Sequence, residues 1–298
     1  MKYELGNFVA KGSFGKIYEL VDKKKMNKEK KIIKFILLNS YGIDNYLEPY
    51  ILLNLKHNNI LNALDIILEN RLLKIIAYKA DCDLRNLIGK IKNYKNVILQ
   101  LTNGINFLHS KNILHGDIKP ENILKFNNIY KITDFGYAKI LNHNYTNILL
   151  YTKKYRPPEI YIYRCCLKSD IWALGCTFYE IITGNSLFIQ IDKDIIKINK
   201  LDKKGDIYNL IELMTNINLD ARFNYKQLCL FLNTCWEEKK PIKFNLDSIY
   251  EKYDIKEKDR VILRKKIYGK NREIKINLDY EMVEKNICNE KFNFDLLK

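Results

Sequence analysis

The ten residues His115–Leu124 constrain this chain more than any other stretch, because they place a carboxylate, an ammonium and a carboxamide within six residues. Asp117, Lys119 and Asn122 are the residue types that can orient an attacking hydroxyl, neutralise a phosphate and hold a metal ion. Pro120 fixes its own φ and disfavours a helical Lys119, so the stretch is predicted to be a loop that points these side chains inward. A polar turn between a helix and a strand is the alternative interpretation.

Length and composition limit the class of protein. The 298 residues suit one large domain of two lobes or two ordinary domains, and a hydrophobic content of 47% is ample for a buried core. The formal charge of +16 favours acidic or phosphorylated partners, and it is compatible with loose nucleic-acid binding, which no motif supports.

The cysteines and the apolar stretches indicate the compartment. The seven cysteines are odd in number and include no C-x-x-C pair, which predicts reduced thiols in an intracellular protein. No run approaches 18 apolar residues and no apolar signal core follows Met1, so neither a membrane span nor export is predicted.

A hairpin is predicted over Phe8–Leu20, where two strands flank a glycine turn and apolar residues alternate on the second strand. Gly12 and Gly15 lie in that turn, and glycine allows backbone N–H groups to approach phosphate oxygens closely. An ordinary β-hairpin is the alternative. The next predicted strand, Lys31–Ile36, carries Lys34 among apolar residues, and a buried ammonium needs a partner.

Further motifs follow in chain order. Glu48 starts a run with the spacing E-x₃-L-x₂-L-x-H-x-N-I. Asp134–Gly136 follows a short strand predicted at Ile129–Ile132, and carboxylate oxygens are ligands that Mg²⁺ prefers. Thr152–Glu159 ends in Pro-Pro-Glu, and Asp170–Gly175 has the spacing D-x-W-x-x-G.

Together these motifs resemble those of the eukaryotic protein kinase superfamily, and they run in order from Val9 to about Phe231. The resemblance implies an α+β fold of two lobes, with a five-stranded antiparallel sheet and one short helix in the first lobe and mostly helices in the second. The implied divisions are a kinase domain over 1–236, an N-lobe over 1–77, a hinge over 78–83, a C-lobe over 84–236 and a basic extension of unknown role over 237–298.

The resemblance also indicates a branch of the family. Thr152 and the Lys119–Asn122 sequence favour serine/threonine kinases, because tyrosine kinases have arginine and alanine in that part of the loop. Tyr155-Arg156 resembles the cyclin-dependent and related proline-directed kinases. Against that, the 52 residues from Asp170 to Arg222 leave no room for the insert of those kinases, and the subfamily stays open.

The catalytic and metal roles come from the same resemblance. It implies that Asp117 accepts the proton of the attacking hydroxyl and that Lys119 steadies the γ-phosphate of ATP. Asn122 and Asp134 are expected to hold Mg²⁺, with Mn²⁺ as the alternative metal.

The nucleotide site is expected to depend on Lys34, which would pair with Glu48 and place the α- and β-phosphates. Ala77 is expected at the back of the adenine pocket, with Ile76 as the alternative register. The expected ATP-binding residues are Val9, Ala10, Lys11, Gly12, Ser13, Phe14, Gly15, Lys16, Ile17, Lys34, Glu48, Tyr78 and Ala80.

Several residues depart from the family pattern. Ala10 replaces the first glycine of the turn motif, and Ile32 replaces an alanine near the adenine. A proline within a helix costs about 3 kcal/mol. Because Pro49 follows Glu48, we expect the helix to begin or kink near Glu48 and to run to about Lys56.

Gly116 is the most informative departure, because the family usually has an arginine there that pairs with a phosphorylated activation segment. Activity is therefore expected not to depend on phosphorylation between Asp134 and Glu159. His-Gly-Asp also occurs in kinases of antibiotics and small metabolites, but those lack the Lys119–Glu121 and Pro-Pro-Glu sequences, so a protein substrate is predicted. A catalytically inactive pseudokinase scaffold is the alternative that these departures motivate.

Charged residues near the predicted site bear on substrates. Lys153, Lys154 and the basic chain predict protein substrates that are acidic or already phosphorylated, whereas Glu121 favours a basic residue before the acceptor. The sequence does not identify a regulatory partner. Arg222 is expected to form a buried, structural ion pair with Glu159.

The abundance of Lys, Asn and Ile resembles coding in an AT-rich genome, such as that of a large DNA virus or a protist. The expected compartment is the cytoplasm, which for a virus would be that of the host.

Overall fold

An antiparallel sheet makes up most of the N-terminal part of the computed structural model, which describes residues 3–12, 15–23, 30–38, 44–141, 151–162, 165–192, 195–198, 206–237 and 273–275. The elements of this part are β1 (Tyr3–Lys11), β2 (Lys16–Asp22), β3 (Lys31–Leu37), α1 (Asp44–Asn54), β4 (Asp65–Glu69) and β5 (Leu72–Tyr78). The strands lie in the order β1–β2–β3–β5–β4, and all neighbours are antiparallel. The predicted five-stranded sheet is therefore confirmed.

Alternation of buried side chains explains how this sheet packs. On β5, Leu73, Ile75 and Ala77 are buried while the residues between them are partly exposed, so one face lies against the core. On β3, which pairs with β5, Ile36 lies opposite Leu73 on the same face and is also buried. β-Branched residues suit such a pleated, half-buried surface.

The turn between β1 and β2 requires glycine at one position. A Cβ atom at Gly15 would lie 2.0 Å from the carbonyl oxygen of Phe35 in β3, a distance that no side chain tolerates. Gly12 donates its N–H to the Gly15 carbonyl at 2.8 Å, and a Cβ there would meet nothing closer than 3.7 Å. Close approach of the hairpin to β3 therefore explains Gly15 without any bound phosphate.

Helix α1 begins earlier than the sequence indicated. It starts at Asp44 and ends at Asn54, two residues before the predicted Lys56, so a start near Glu48 is wrong and Pro49 lies inside the helix. The alternative, a kink near Glu48, stays a prediction. The proline lacks an N–H donor for the carbonyl four residues earlier, at a cost of about 3 kcal/mol. Ile51 and Leu52 are 0% and 2% exposed, and burying such side chains contributes about 1.5–3 kcal/mol each, which offsets that cost.

The C-terminal part is mainly helical in the residues that the structure describes. Its elements are β6 (Cys82–Asp83), α2 (Tyr94–His109), β7 (Ile113–Leu114), β8 (Ile123–Phe126), β9 (Ile129–Ile132), β10 (Lys139–Ile140), α3 (Leu167–Thr183), β11 (Phe188–Asp192), β12 (Ile195–Ile198), α4 (Asp206–Met214), α5 (Tyr225–Glu237) and β13 (Glu273–Lys275). Together with the N-terminal sheet, these helices confirm the predicted two-lobed α+β fold.

Helix α2 buries the apolar face that its sequence predicts. It starts two residues before the predicted Asn96, and the side chain of Asn93 caps it by accepting a hydrogen bond from the Asn96 N–H at 3.2 Å. The four predicted core positions are all buried; they are Val97, Leu101, Ile105 and Leu108. The helix therefore packs under the loop that follows it.

Helix α3 is buried on every side. All of its residues from Ser169 to Ile181 are buried, including Asp170 and Glu180, and such an all-round apolar environment is typical of a helix at the centre of a core. Gly184 caps its C-terminal end, with a φ of 76° in the left-handed conformation that glycine adopts readily.

The predicted ion pair between Glu159 and Arg222 is present and bidentate. The two Nη atoms lie 2.6 and 2.9 Å from the two carboxylate oxygens, and Arg222 is fully buried. Its Nε donates to the carbonyl of Asn216, and Ser169 donates its hydroxyl to Glu159. The guanidinium also lies 4.8 Å from the ring centroid of Trp172. Every group of this pair is therefore held by the packed core.

Within the described ranges, three smaller sheets are present, β6–β8–β9, β7–β10 and β11–β12–β13. Strand β13 belongs to the predicted extension over 237–298, and the predicted division of the chain at residue 236 stays a prediction. No helix in the described ranges is both long and apolar enough to cross a membrane.

Candidate active site

A histidine holds the loop between β7 and β8 in shape. The Asp117 N–H points at His115 Nδ1 (3.2 Å), and the other ring nitrogen lies 2.9 Å from the carbonyl oxygen of Thr133. Lys119 is extended, with φ −164°, and residues Pro120–Asn122 form one short 3₁₀ turn. The stretch is thus a loop, as predicted, and it is tied to the segment that leads into Asp134.

The carboxylate of Asp117 is the point at which the loop side chains meet. Its Oδ2 lies 2.5 Å from the ammonium of Lys119 and accepts a hydrogen bond from the amide of Asn122 at 3.1 Å. Its Oδ1 accepts hydrogen bonds from the N–H and the hydroxyl of Thr152, both at 2.9 Å. Asp117 is only 1% exposed, so these donors fix the direction of both oxygens.

Lys34 has two carboxylate partners. Its Nζ lies 2.8 Å from Glu48 on α1 and 2.8 Å from Asp134, which follows β9. Burial alone would lower the pKa of Lys34, but the two carboxylates outweigh it and raise the pKa overall. Burial raises the pKa of Glu48, and the charge of Lys34 opposes that effect only in part. The predicted pair of Lys34 and Glu48 is therefore present, with Asp134 as a third member.

Asn122 and Asp134 supply oxygen atoms of the kind that Mg²⁺ prefers. The amide nitrogen of Asn122 donates to the carbonyl and to the carboxylate of Asp117, so its carbonyl oxygen remains as a ligand. The described residues contain no group of three or more His, Cys, Asp or Glu that could hold a metal. Mg²⁺ needs no such cluster when nucleotide phosphates and water complete its shell, so this donor set fits the ion.

Asp170 at the start of α3 supports the loop from below. Its carboxylate accepts hydrogen bonds from the N–H groups of His115 and Gly116 at 2.8 and 3.0 Å, and it lies 2.9 Å from His109 Nε2. Burial would raise the pKa of Asp170, but these donors hold it below its usual value. Gly116 has φ 80°, a conformation that glycine adopts without strain.

Tyr151 makes contacts that the sequence did not predict. Its hydroxyl donates to Asp170 at 2.8 Å and its N–H donates to the carbonyl of Gly116 at 2.9 Å. It is 4% exposed and has φ 69°, an uncommon value for a residue other than glycine. Burial, and then the charge of Asp170, raises its pKa well above 10. Tyr151 therefore ties the segment that contains Thr152 to the loop that carries Asp117.

A second unpredicted cluster surrounds Arg85, in the short 3₁₀ turn after β6. Its Nε lies 2.8 Å from Glu121, and its two Nη atoms lie 3.0 and 3.1 Å from the oxygens of Glu180. Arg85 also contacts the hydroxyl of Tyr155, which donates to Glu180 at 2.5 Å. The one sequence signal for this cluster was Glu180, a charged residue inside the apolar helix α3. A buried carboxylate requires a partner.

The remaining predicted nucleotide-site residues lie on the strands and the crossover. Ala77 on β5 is 1% exposed and is paired with Ile32 on β3. Tyr78 ends β5, and Ala80 lies between β5 and β6. The positions on the hairpin are Val9, Ala10 and Lys11 in β1 and Lys16 and Ile17 in β2. The predicted residues Ser13 and Phe14 lie outside the described residues, and the roles of all these positions stay predictions.

An antiparallel-sheet lobe, a helical lobe, Lys34 in contact with Glu48 and Asp134, and Asp117 in contact with Lys119 and Asn122 together define a kinase-type fold and site. The family model described as "Protein kinase domain" matches residues 3–252 of the 298. The chain belongs to the protein kinase family, as the motifs indicated.

Relatives from several kinase groups are similar to this chain. A probable cell division protein kinase of Encephalitozoon cuniculi is 36% identical over 200 residues, which are 63% of this chain and 74% of that protein. The Aurora kinase of Yarrowia lipolytica is 31% identical over 268 residues, or 80% and 71% of the two chains. A probable cyclin-dependent kinase 8 of Dictyostelium discoideum is 31% identical over 255 residues, or 76% and 66%. These relatives favour a serine/threonine kinase without singling out a subfamily.

Proposed function

We propose that this protein is a serine/threonine kinase that transfers the γ-phosphate of ATP to hydroxyl groups of protein substrates. The observation that carries the proposal is the surroundings of the Asp117 carboxylate, on which Lys119, Asn122 and Thr152 converge at 2.5–3.1 Å. Phosphoryl transfer depends mainly on positioning and on electrostatic stabilisation, and this arrangement supplies both.

Each chain residue then has a defined task. Asp117 orients the hydroxyl of the substrate and accepts its proton, because its carboxylate is held in one direction by its donors. Lys119 offers a positive charge next to that carboxylate, so it can stabilise negative charge on the transferred group. Thr152 keeps the substrate-binding segment against Asp117 through its N–H and its hydroxyl.

The nucleotide is assigned to the cleft side of the sheet. Lys34 binds the α- and β-phosphates of ATP while Glu48 fixes the position of its ammonium. Asn122 and Asp134 would hold Mg²⁺, which would supply positive charge to neutralise the phosphates. Asp134 lies two residues after β9 and has a left-handed backbone conformation, with φ 64°.

An inactive scaffold is the competing function, and the departures from the family pattern motivate it. Pro49 is accommodated inside α1, and Glu48 in the same helix still contacts Lys34. Gly116 removes a side chain without disturbing the contacts of Asp117. Neither Ala10 nor Ile32 removes a group that would touch the metal or the transferred phosphoryl group. These observations favour the active enzyme.

Transfer of labelled phosphate from ATP to a generic basic protein, in the presence of Mg²⁺, tests the proposal. Asp117→Asn and Lys34→Met should each lower the rate by about 10²- to 10⁴-fold, the effect typical of losing a positioned base or charge. Asp65→Asn and Lys74→Met are matched controls on strands β4 and β5, and they should keep the activity of the wild type. Equal labelling by all five proteins would identify the chain as an inactive scaffold.

Substrates and compartment complete the proposal. Lys153 and Lys154 are exposed next to Thr152, which supports a preference for acidic or phosphorylated protein sequences. An intracellular location is in keeping with Cys82, Cys166, Cys176 and Cys229, which form no disulfide. Some relatives carry the name cyclin-dependent kinase, so a regulatory protein partner is proposed as well. Co-purification of the full chain from its native cells would test for that partner.

A further inference from the structure

The cluster around Arg85 joins segments that also hold the Asp117 carboxylate. Glu121 follows Lys119 by two residues, and Tyr155 follows Thr152 by three. Lys119 and Thr152 both contact Asp117. Because extended chain advances at most about 3.5 Å per residue, the cluster begins within about 10 Å of backbone from those contacts. A substrate whose hydroxyl reaches Asp117 therefore passes this cluster within a few residues.

The charges of the cluster would suit a basic side chain if Arg85 were absent. The side chain of Glu180 is 5% exposed, so its carboxylate is costly to bury without a cation. The side chain of Glu121 is 44% exposed and lies on the solvent side of the same guanidinium. Arg85 satisfies both, with one N–H contact to Glu121 and two to Glu180.

We propose that Arg85 fills, from within the chain, an acidic subsite for the substrate that is formed by Glu121 and Glu180. The inference rests on the proposed kinase function and specifies its substrate class. This enzyme should therefore act on substrates that need no basic residue before the acceptor, although Glu121 alone would suggest the opposite. Arg85 is thus a specificity-determining residue.

A binding experiment tests the proposal separately from catalysis. Fluorescently labelled peptides carry one acceptor serine in a neutral sequence, and a single arginine, norleucine or glutamate is moved through the three positions before it. Affinity for the wild type and for Arg85→Ala is measured by anisotropy. In Arg85→Ala, the arginine of a bound peptide can take the place of the missing side chain and form charge-assisted hydrogen bonds to Glu121 and Glu180. This variant should therefore bind one of the arginine peptides about tenfold more tightly than the norleucine peptide with the same position changed.

The wild type should show no such difference, and the double variant Arg85→Ala/Glu121→Gln should lose most of it. Lys79→Ala is a matched control, since Lys79 pairs with Glu19 away from this cluster. If Arg85→Ala unfolds, Arg85→Gln keeps a hydrogen-bond donor near Glu180 while removing the charge, and it should give the same gain.

The two hypotheses fail in different ways. No phosphate transfer to any substrate by the wild type would contradict the kinase function, while the peptide affinities would still decide the role of Arg85. A tenfold arginine preference in the wild type that Glu121→Gln removes would overturn the proposal. So would the absence of any arginine gain in a folded Arg85 variant.

Discussion

Two buried ion pairs, one in the cleft where Asp134 approaches the N-terminal sheet and one in the helical core, are held in different ways. In the cleft, Lys34 meets Glu48 through a single ammonium and is shared with Asp134. In the core, Arg222 meets Glu159 through a two-pronged contact, and the groups around them hold both residues further. The first pair consists of a point charge with two possible partners, and the second is a fixed fork.

The difference separates a pair that can change partners from one that cannot. An ammonium on a flexible stem can move from one oxygen to another at little geometric cost, which suits a residue with two carboxylate partners. A planar guanidinium matched to one carboxylate loses both hydrogen bonds if it moves. Burial is similar in the two pairs, so the geometry of the cation distinguishes their roles.

Removing the cation of the core pair should have the largest effect on stability. Arg222→Ala leaves Glu159 as a buried charge without its partner, which costs about 3 to 5 kcal/mol. This is a large fraction of the roughly 5–15 kcal/mol by which domains are stable. Urea unfolding should show a lower midpoint with an unchanged slope.

Arg222→Lys is the matched control for this change. It keeps the charge but loses the fork, so its midpoint should lie between those of the wild type and Arg222→Ala. A loss below about 1 kcal/mol in Arg222→Ala, the range of exposed pairs, would show that the core tolerates the unpaired carboxylate.

The equivalent change in the cleft, Lys34→Met, should have a smaller and pH-dependent effect on stability. Burial already raises the pKa of Glu48, and loss of the Lys34 charge raises it further, so the carboxyl can become neutral. A carboxyl whose pKa is raised in the folded state contributes stability below its unfolded pKa, and that stability is lost as the pH rises through the folded pKa. The free energy of unfolding of Lys34→Met, relative to the wild type, should therefore be higher at pH 5 than at pH 8, so that the variant is less destabilised in acid.

The double variant Lys34→Met/Glu48→Gln serves as the control, because it has no titrating carboxyl at this place. Its unfolding free energy relative to the wild type should lack the extra pH dependence of the single variant. A single variant whose deficit is the same at both pH values would mean that Glu48 stays ionised without Lys34, as a rigid pair would require.

The sequence was sufficient for the parts of this comparison that depend on local spacing. The motifs gave the strand that carries Lys34 and the loop that carries Asp117, and the predicted contact with Glu48 is present. The sequence did not show where α1 begins, because the cost of Pro49 is offset by long-range packing that no local pattern contains. Arg85 was missed for a related reason, since its partners lie 36 and 95 residues away.

The smallest effect is expected from phosphorylation of the segment from Asp134 to Glu159, which connects the two pairs. Tyr151 already holds it to Asp170 and to Gly116, and Gly116 has no side chain with which to bind a phosphate. Phosphatase treatment and Thr146→Ala should therefore change kcat/KM by less than about tenfold, which corresponds to about 1.4 kcal/mol. Thr146 itself lies outside the described residues. A larger drop in either experiment would show that another basic group takes the place of the missing arginine.

Because Tyr151 is buried, the rate at which its hydroxyl ionises reports how fast the segment around it opens. An ordinary tyrosine ionises near pH 10, whereas the hydroxyl of Tyr151 cannot lose its proton easily while it donates to the Asp170 carboxylate. After a rapid jump to alkaline pH, exposed tyrosine hydroxyls ionise at once, whereas the hydroxyl of Tyr151 ionises only after the segment has separated from helix α3. The slow phase that is missing in Tyr151→Phe then measures the lifetime of the closed segment.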